Sequence, residues 1–167
     1  QGTIGQPNGT TGLCLSCHDG TIALGKVVSL GQEIEMAGGR RLLNTGAGFI
    51  GTSLMDDHPV SFGYSTSRGG SGKDYLAAGA IRGPVHLDDG GQVQCTSCHD
   101  AHNNSLGKFL LMTDKRGEVC LACHVPGDWP TSAHSTSVAT WSGSGDNPWP
   151  DARYTTVADN ACRSCHR

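Results

Sequence analysis

Cys95-Thr96-Ser97-Cys98-His99 decides how the rest of the chain is read, because the same unit, Cys-x-x-Cys-His, occurs three more times. It stands at Cys14-Leu15-Ser16-Cys17-His18, at Cys120-Leu121-Ala122-Cys123-His124 and at Cys162-Arg163-Ser164-Cys165-His166. This spacing attaches haem c. The two thiols add across the two vinyl groups of a porphyrin, and the following imidazole reaches the iron from the proximal side. A single copy is also compatible with a zinc or redox motif. Four copies use all eight cysteines and leave none over. The expected cofactors are four covalently attached haem c groups with their iron, held by Cys14, Cys17, Cys95, Cys98, Cys120, Cys123, Cys162 and Cys165.

The histidines obey the same arithmetic. Of the eight in the chain, His18, His99, His124 and His166 are proximal ligands by the motif. His58, His86, His102 and His134 remain, one for each haem, so the reading expects bis-histidine iron throughout. Met36, Met55 and Met112 are the competing sixth ligands, and each also fits as an ordinary apolar residue. His102 follows His99 by three residues. On a helix the two would project from one side, so His102 is expected to serve a neighbouring haem. His58 precedes Pro59, which holds it extended and suits a ligand delivered from a loop.

Working outward, the polypeptide is poor in core material. Hydrophobic residues make up 36%, aromatics 5%, and 25 residues are glycine. Charged residues reach only 16%, fewer than disordered chains usually carry. Four apolar macrocycles reconcile these facts. The expected fold class is a mostly irregular, coil-rich multihaem cytochrome, with short helices at the haem sites, a few short strands, and haems for a core. Residues 1–167 are expected to form one tetrahaem domain.

Along the chain, glycines break up the apolar pieces between Asp19 and Arg82, which predicts two to four short strands or hairpins there. A glycine- and serine-rich loop is expected over Ser65–Lys73. Apolar spacing at Leu106, Phe109, Leu110, Val119 and Leu121 is compatible with helix over Ser105–Ala122. Asp56-Asp57 and Asp88-Asp89 could offer oxygen ligands to calcium, but neither has the rest of a calcium loop, and solvated turn acids are favoured.

A net charge of −3 and a pI near 6.2 supply no basic field for nucleic acid. No apolar run is long enough to span a bilayer, so the protein is not expected to be transmembrane. The chain opens at Gln1 without a signal peptide, and the reading expects the processed form of an exported protein. Haem c is attached outside the cytoplasm, which places the protein outside the cell or at its surface, with the periplasm as the alternative.

Gly83-Pro84-Val85-His86, Cys95–His102, Phe109-Leu110-Leu111 and Cys120–His124 together resemble the doubled haem-binding motif of multihaem cytochromes. Cys14–Thr21 and Asp57–Phe62 resemble segments common in multihaem cytochromes of metal-reducing bacteria. The whole is similar to the small tetrahaem cytochromes that polymerise into extracellular filaments, the OmcE type. The likeness spans the haem-bearing segments and hardly touches Val27–Met55. It implies haems stacked in a continuous chain, and a homopolymer in which one haem of each subunit takes a histidine from the adjacent subunit.

Iron between two imidazoles has no open position for substrate, which argues for an electron carrier and against an enzyme. The leading expectation is a polymeric extracellular conduit that passes electrons to redox partner proteins or external acceptors. A haem motif near each end of the sequence and weakly charged loops fit it. The alternative is a periplasmic tetrahaem shuttle, which would usually carry a strong docking patch. A haem reductase subunit is the third reading and would need one histidine of the distal set not to ligate.

Overall fold

The computed structural model describes residues 5–26, 29–67, 74–149, 151–164 and 166. Cys165 lies outside the described residues, as does most of the expected loop over Ser65–Lys73.

Regular structure is sparse, as a glycine-rich chain with scattered apolar residues dictates. Helix α1 spans Gly9–His18. A two-stranded sheet pairs β1 (Phe62–Gly63) with β2 (Gln92–Val93). Three single-turn helices follow, α2 (Tyr64–Ser67), α3 (Glu118–Leu121) and α4 (Ala133–Thr136), with short 3-10 turns between. Among the described residues the fold is mostly coil, with brief helices and one minimal sheet.

Contacts divide the chain into two compact units, Thr3–Phe62 and Gly63–Arg167. The first is built on α1. Asn8, in extended conformation, precedes it and donates its N–H to Ser61 Oγ at 3.0 Å. The helix ends where the Asp19 N–H returns to Leu15 O at 2.9 Å. Asp19 Oδ1 then accepts from the backbone and hydroxyl of Thr21, both at 2.8 Å, and this side-chain turn diverts the backbone from further helix. Among the described residues, this unit buries only Thr11 and Ser61. The second unit holds every buried apolar residue described: Tyr64, Val85, Val93, Ala122, Tyr154, Ala158 and Ala161. Three of these seven are alanines, so even this core is thin.

Two local expectations are corrected. Asp19–Arg82 forms, among its described residues, the single strand β1 and not the two to four expected. Isolated bonds such as Leu24 N–H to Arg41 O (2.7 Å) and Ile34 N–H to Gly25 O (2.9 Å) join its loops instead, because glycines interrupt every run before a ladder can form. Ser105–Ala122 is not a continuous helix. Lys108 and Phe109 take positive φ (53° and 55°) and Arg116 does so as well (56°), which confines helix to α3. Tertiary pairing overrides the apolar spacing there.

Candidate haem-binding sites

Each motif folds into one helical turn. His99 N–H donates to Cys95 O at 3.0 Å, His124 to Cys120 O at 2.9 Å and His166 to Cys162 O at 3.0 Å, while Cys14–His18 forms the last turns of α1. Positions i, i+3 and i+4 of such a turn share a face, so in the first three motifs both sulfurs and the imidazole point the same way. That is the arrangement that two thioethers and one axial nitrogen on a single macrocycle require.

Long-range backbone bonds hold the first three turns. In the first motif, His18 O accepts from Ile50 (2.9 Å) and Gly51 (3.3 Å). In the second, Cys98 O accepts from Leu111 (2.9 Å), Asp100 N–H reaches Phe109 O (2.7 Å), and His99 bridges to Leu110. The third lies along 74–82, through Leu76 N–H to Cys123 O (2.8 Å), Val125 N–H to Asp74 O (2.7 Å) and Arg82 N–H to Ala122 O (3.0 Å). The fourth is approached by Asp159, whose carbonyl accepts from Arg116 N–H at 3.1 Å. Buried Asn160 donates to Tyr154 O and Thr156 O at 2.9 and 3.0 Å.

The imidazoles carry the most specific geometry. Nδ1 of His18 lies 2.6 Å from Gly48 O, and Nδ1 of His99 lies 2.9 Å from Lys108 O. Nδ1 of His58 sits 2.9 Å from Pro59 O, and that of His86 3.0 Å from Pro84 O. A carbonyl can only accept, so each Nδ1 carries a proton, and in the neutral ring it is Nε2 that keeps the lone pair. This is the tautomer a metal ligand needs, and a carbonyl behind the ring is the usual way to fix it. Two proximal and two candidate distal histidines share it.

Of the distal set, His86 sits beside the second motif, its N–H donating to Ser97 O at 3.3 Å. His58 is exposed in the first unit and lines a cavity of about 560 Å³ together with Leu15, Asp19, Leu54, Met55 and Val60. His134 is exposed on α4. His102 corrects the helical expectation: the helical turn stops at the motif, and the His102 N–H is caught by Asp100 Oδ1 at 2.9 Å, so His99 and His102 are not stacked one turn apart. The second, third and fourth motifs lie close together. Burial, with the Cys123 and Cys95 sulfurs nearby, pushes the Cys98 thiol up to about 11. Cys120 is raised by donating a hydrogen bond to Cys162, which is lowered by receiving it.

Several positioning residues carried no motif. Gln94 and Ser97 are each 2% exposed and cap one another across the start of the second motif. Gln94 Nε2 also donates to Asp88 Oδ2 at 3.0 Å. Asp88 Oδ1 accepts from Gln92 and Gly90 N–H groups, which, with the Gln94 contact, hold its carboxyl below the usual range. Asp88 is thus a turn acid, as favoured over calcium. Gly117, at φ 72°, lies against the fourth motif, and a Cβ built there would run into Cys162 Sγ. Only the pairing of a glycine with a later cysteine could have signalled it, and no local pattern does.

These features fit haem c. The first three motif turns present their sulfurs and imidazole together, four imidazoles hold Nδ1 against a carbonyl, and Leu13, Phe49, Met55, Leu106 and Phe109 leave apolar surface exposed. Among the described residues no group of three or more His, Cys, Asp or Glu side chains converges into a metal cage. No helix among them is long and apolar enough to cross a membrane.

Residues 87–128 match the family described as "Doubled CXXCH motif", about a quarter of the chain, covering the second and third motifs. No curated protein matches the chain. The family match supports a multihaem c-type cytochrome with covalently bound haem and iron. It points to an electron carrier rather than an enzyme.

Proposed function

We propose that the chain carries electrons through four c-type haems, each iron held between two imidazoles, as a subunit of a polymeric extracellular conduit. The observation that carries the electron-transfer reading is the Nδ1-to-carbonyl tether repeated at His18, His58, His86 and His99. Ligands from both the proximal and the distal set are prepared in the same way, which a mere surface histidine does not need. The haem supplies the one-electron iron couple when bound; everything else is the work of the chain. His18, His99, His124 and His166 would supply proximal nitrogen, and His58, His86, His102 and His134 the opposite face. The carbonyls of Gly48, Pro59, Pro84 and Lys108 stop the rings from turning. The close sulfurs of Cys98, Cys120, Cys123 and Cys162 would keep successive carriers within electron-hopping reach.

Polymerisation, with one distal histidine donated between subunits, is supported by the likeness to filament-forming tetrahaem cytochromes and by the low net charge of −3. Attachment of haem c outside the cytoplasm supports extracellular placement, with the periplasm as the alternative. Electron microscopy of purified holoprotein, with an absorption spectrum of the same sample, tests the reading. Filaments with wholly low-spin haem are the expected result. Discrete monomers with that spectrum would replace the conduit with a periplasmic shuttle, and a high-spin component would return the reductase reading.

A further inference from the structure

We infer that a cationic cluster around Cys162 makes the fourth attachment site the electron sink of the Gly63–Arg167 unit, the site of highest reduction potential. This rests on the haem reading above and adds a direction to it.

The cluster joins parts of the chain far apart in sequence. Arg163, inside the fourth motif, pairs with Asp114, and Lys108 approaches the same carboxylate at 3.7 Å. Lys115 and Arg116 each lie 3.7 Å from Asp159. Arg153 pairs with Asp151 at 2.7 Å and donates to Leu106 O at 3.0 Å. The guanidinium groups of Arg163 and Arg153 stand over the ring of buried Tyr154, 5.0 and 5.2 Å from its centroid, which fixes both charges in place. Five cations meet three carboxylates, a local excess of two positive charges, in a chain whose net charge is −3. The remainder therefore carries −5.

The second motif is flanked by acids, and Lys108, which meets His99 only through its carbonyl, sends its ammonium to Asp114. Asp88 is bound to Gln94 just before Cys95, and Asp100 directly follows His99 and caps His102. The third motif lies between, its Cys120 against Cys162 and its Cys123 near Cys98. Reduction adds one electron, hence one negative charge, to an iron centre. Fixed cations stabilise that charge and carboxylates oppose it, most strongly where water is excluded. An electron on the second site is thus drawn through the third to the fourth: one iron(II) is oxidised, its neighbour reduced, and no proton need move.

Spectroelectrochemical titration of the holoprotein tests this, with Arg163→Gln, Arg153→Gln and Asp114→Asn made separately. Both arginine variants should lower the highest-potential step, by about tenfold in its equilibrium constant or about 59 mV, and leave the lower steps in place. Asp114→Asn should raise that same step, a sign reversal that damaged folding would not produce. If the arginine variants move a lower step, or the highest step stays put in all three, the inference is wrong. A pyridine haemochrome assay on the same samples separates this outcome from failure of the haem reading, since absence of covalent haem would overturn that reading instead.

Discussion

The two units solve the same problem with different means. Thr3–Phe62 has one motif on a ten-residue helix and buries no apolar side chain among its described residues, while its Leu13, Ile22 and Phe49 stay exposed. Gly63–Arg167 has three motifs on single turns and every buried apolar side chain described. With no buried apolar side chain described, the first would have to close a core around a bound cofactor. The second has a small polypeptide core, laced by the Gln94–Ser97 and Asn160 contacts, before any cofactor is counted. Burying a medium apolar side chain contributes about 1.5–3 kcal/mol, so the few in the second unit matter and the first has none to draw on.

The hardest test of this contrast removes one cofactor. Cys14→Ala with Cys17→Ala should collapse hydrogen-exchange protection across 5–62 to that of an unfolded chain, with protection in 74–164 kept. Retained protection around α1 would end the claim that the first unit depends on its haem. A second break targets contact between motifs. Gly117→Val needs a Cβ where Cys162 Sγ lies, at a φ that only glycine adopts easily. It should prevent the Cys162 thioether, leave one vinyl group unreacted and shift part of the pyridine haemochrome band to longer wavelength; an unshifted band would show that the turn can yield.

A third test asks whether the second unit's polar lacing stabilises it. Gln94→Ala removes the side-chain acceptor of the buried Ser97 N–H, which keeps the residue-94 carbonyl, and one of the donors to Asp88, and should cost about 0.5–1.5 kcal/mol by chemical denaturation. A change within error would remove that lacing from the account. The smallest effect is electrostatic. Hydrogen bonds from Arg153 hold the Asp151 carboxyl down from 3.8 to about 2. Its stabilisation is therefore complete above pH 3.8 and is lost as pH falls through about 2. The pair is partly exposed, so salt weakens it. The stability difference between wild type and Asp151→Asn should shrink over that window and be flat above pH 5; a difference growing toward acid would contradict the sign.

The sequence revealed the motif turns, the coil-rich fold and the scarcity of core, because each follows from spacing or composition. The turn role of Asp88 was also within reach. The division after Phe62 was not, since no composition shift marks it. Nor were the acceptors at Gly48 and Lys108: a backbone carbonyl is common to all residues, and only tertiary folding decides which one faces an imidazole. The helix expected over Ser105–Ala122 failed for a related reason. Lys108 and Phe109 adopt left-handed backbone, at a cost of about 1–3 kcal/mol each, where the Lys108 carbonyl meets His99. Apolar spacing cannot register such a demand.

The carbonyl tethers have a mechanical consequence. A ring fixed through Nδ1 to the main chain would resist swivelling when the charge on a metal it held changed, and the ligand geometry would be nearly the same before and after an electron passed. The nuclear rearrangement accompanying each hop would then be small, and so would the activation barrier it sets. In this chain speed would come from stiffness, supplied by Gly48, Pro59, Pro84 and Lys108 without any side chain of theirs taking part.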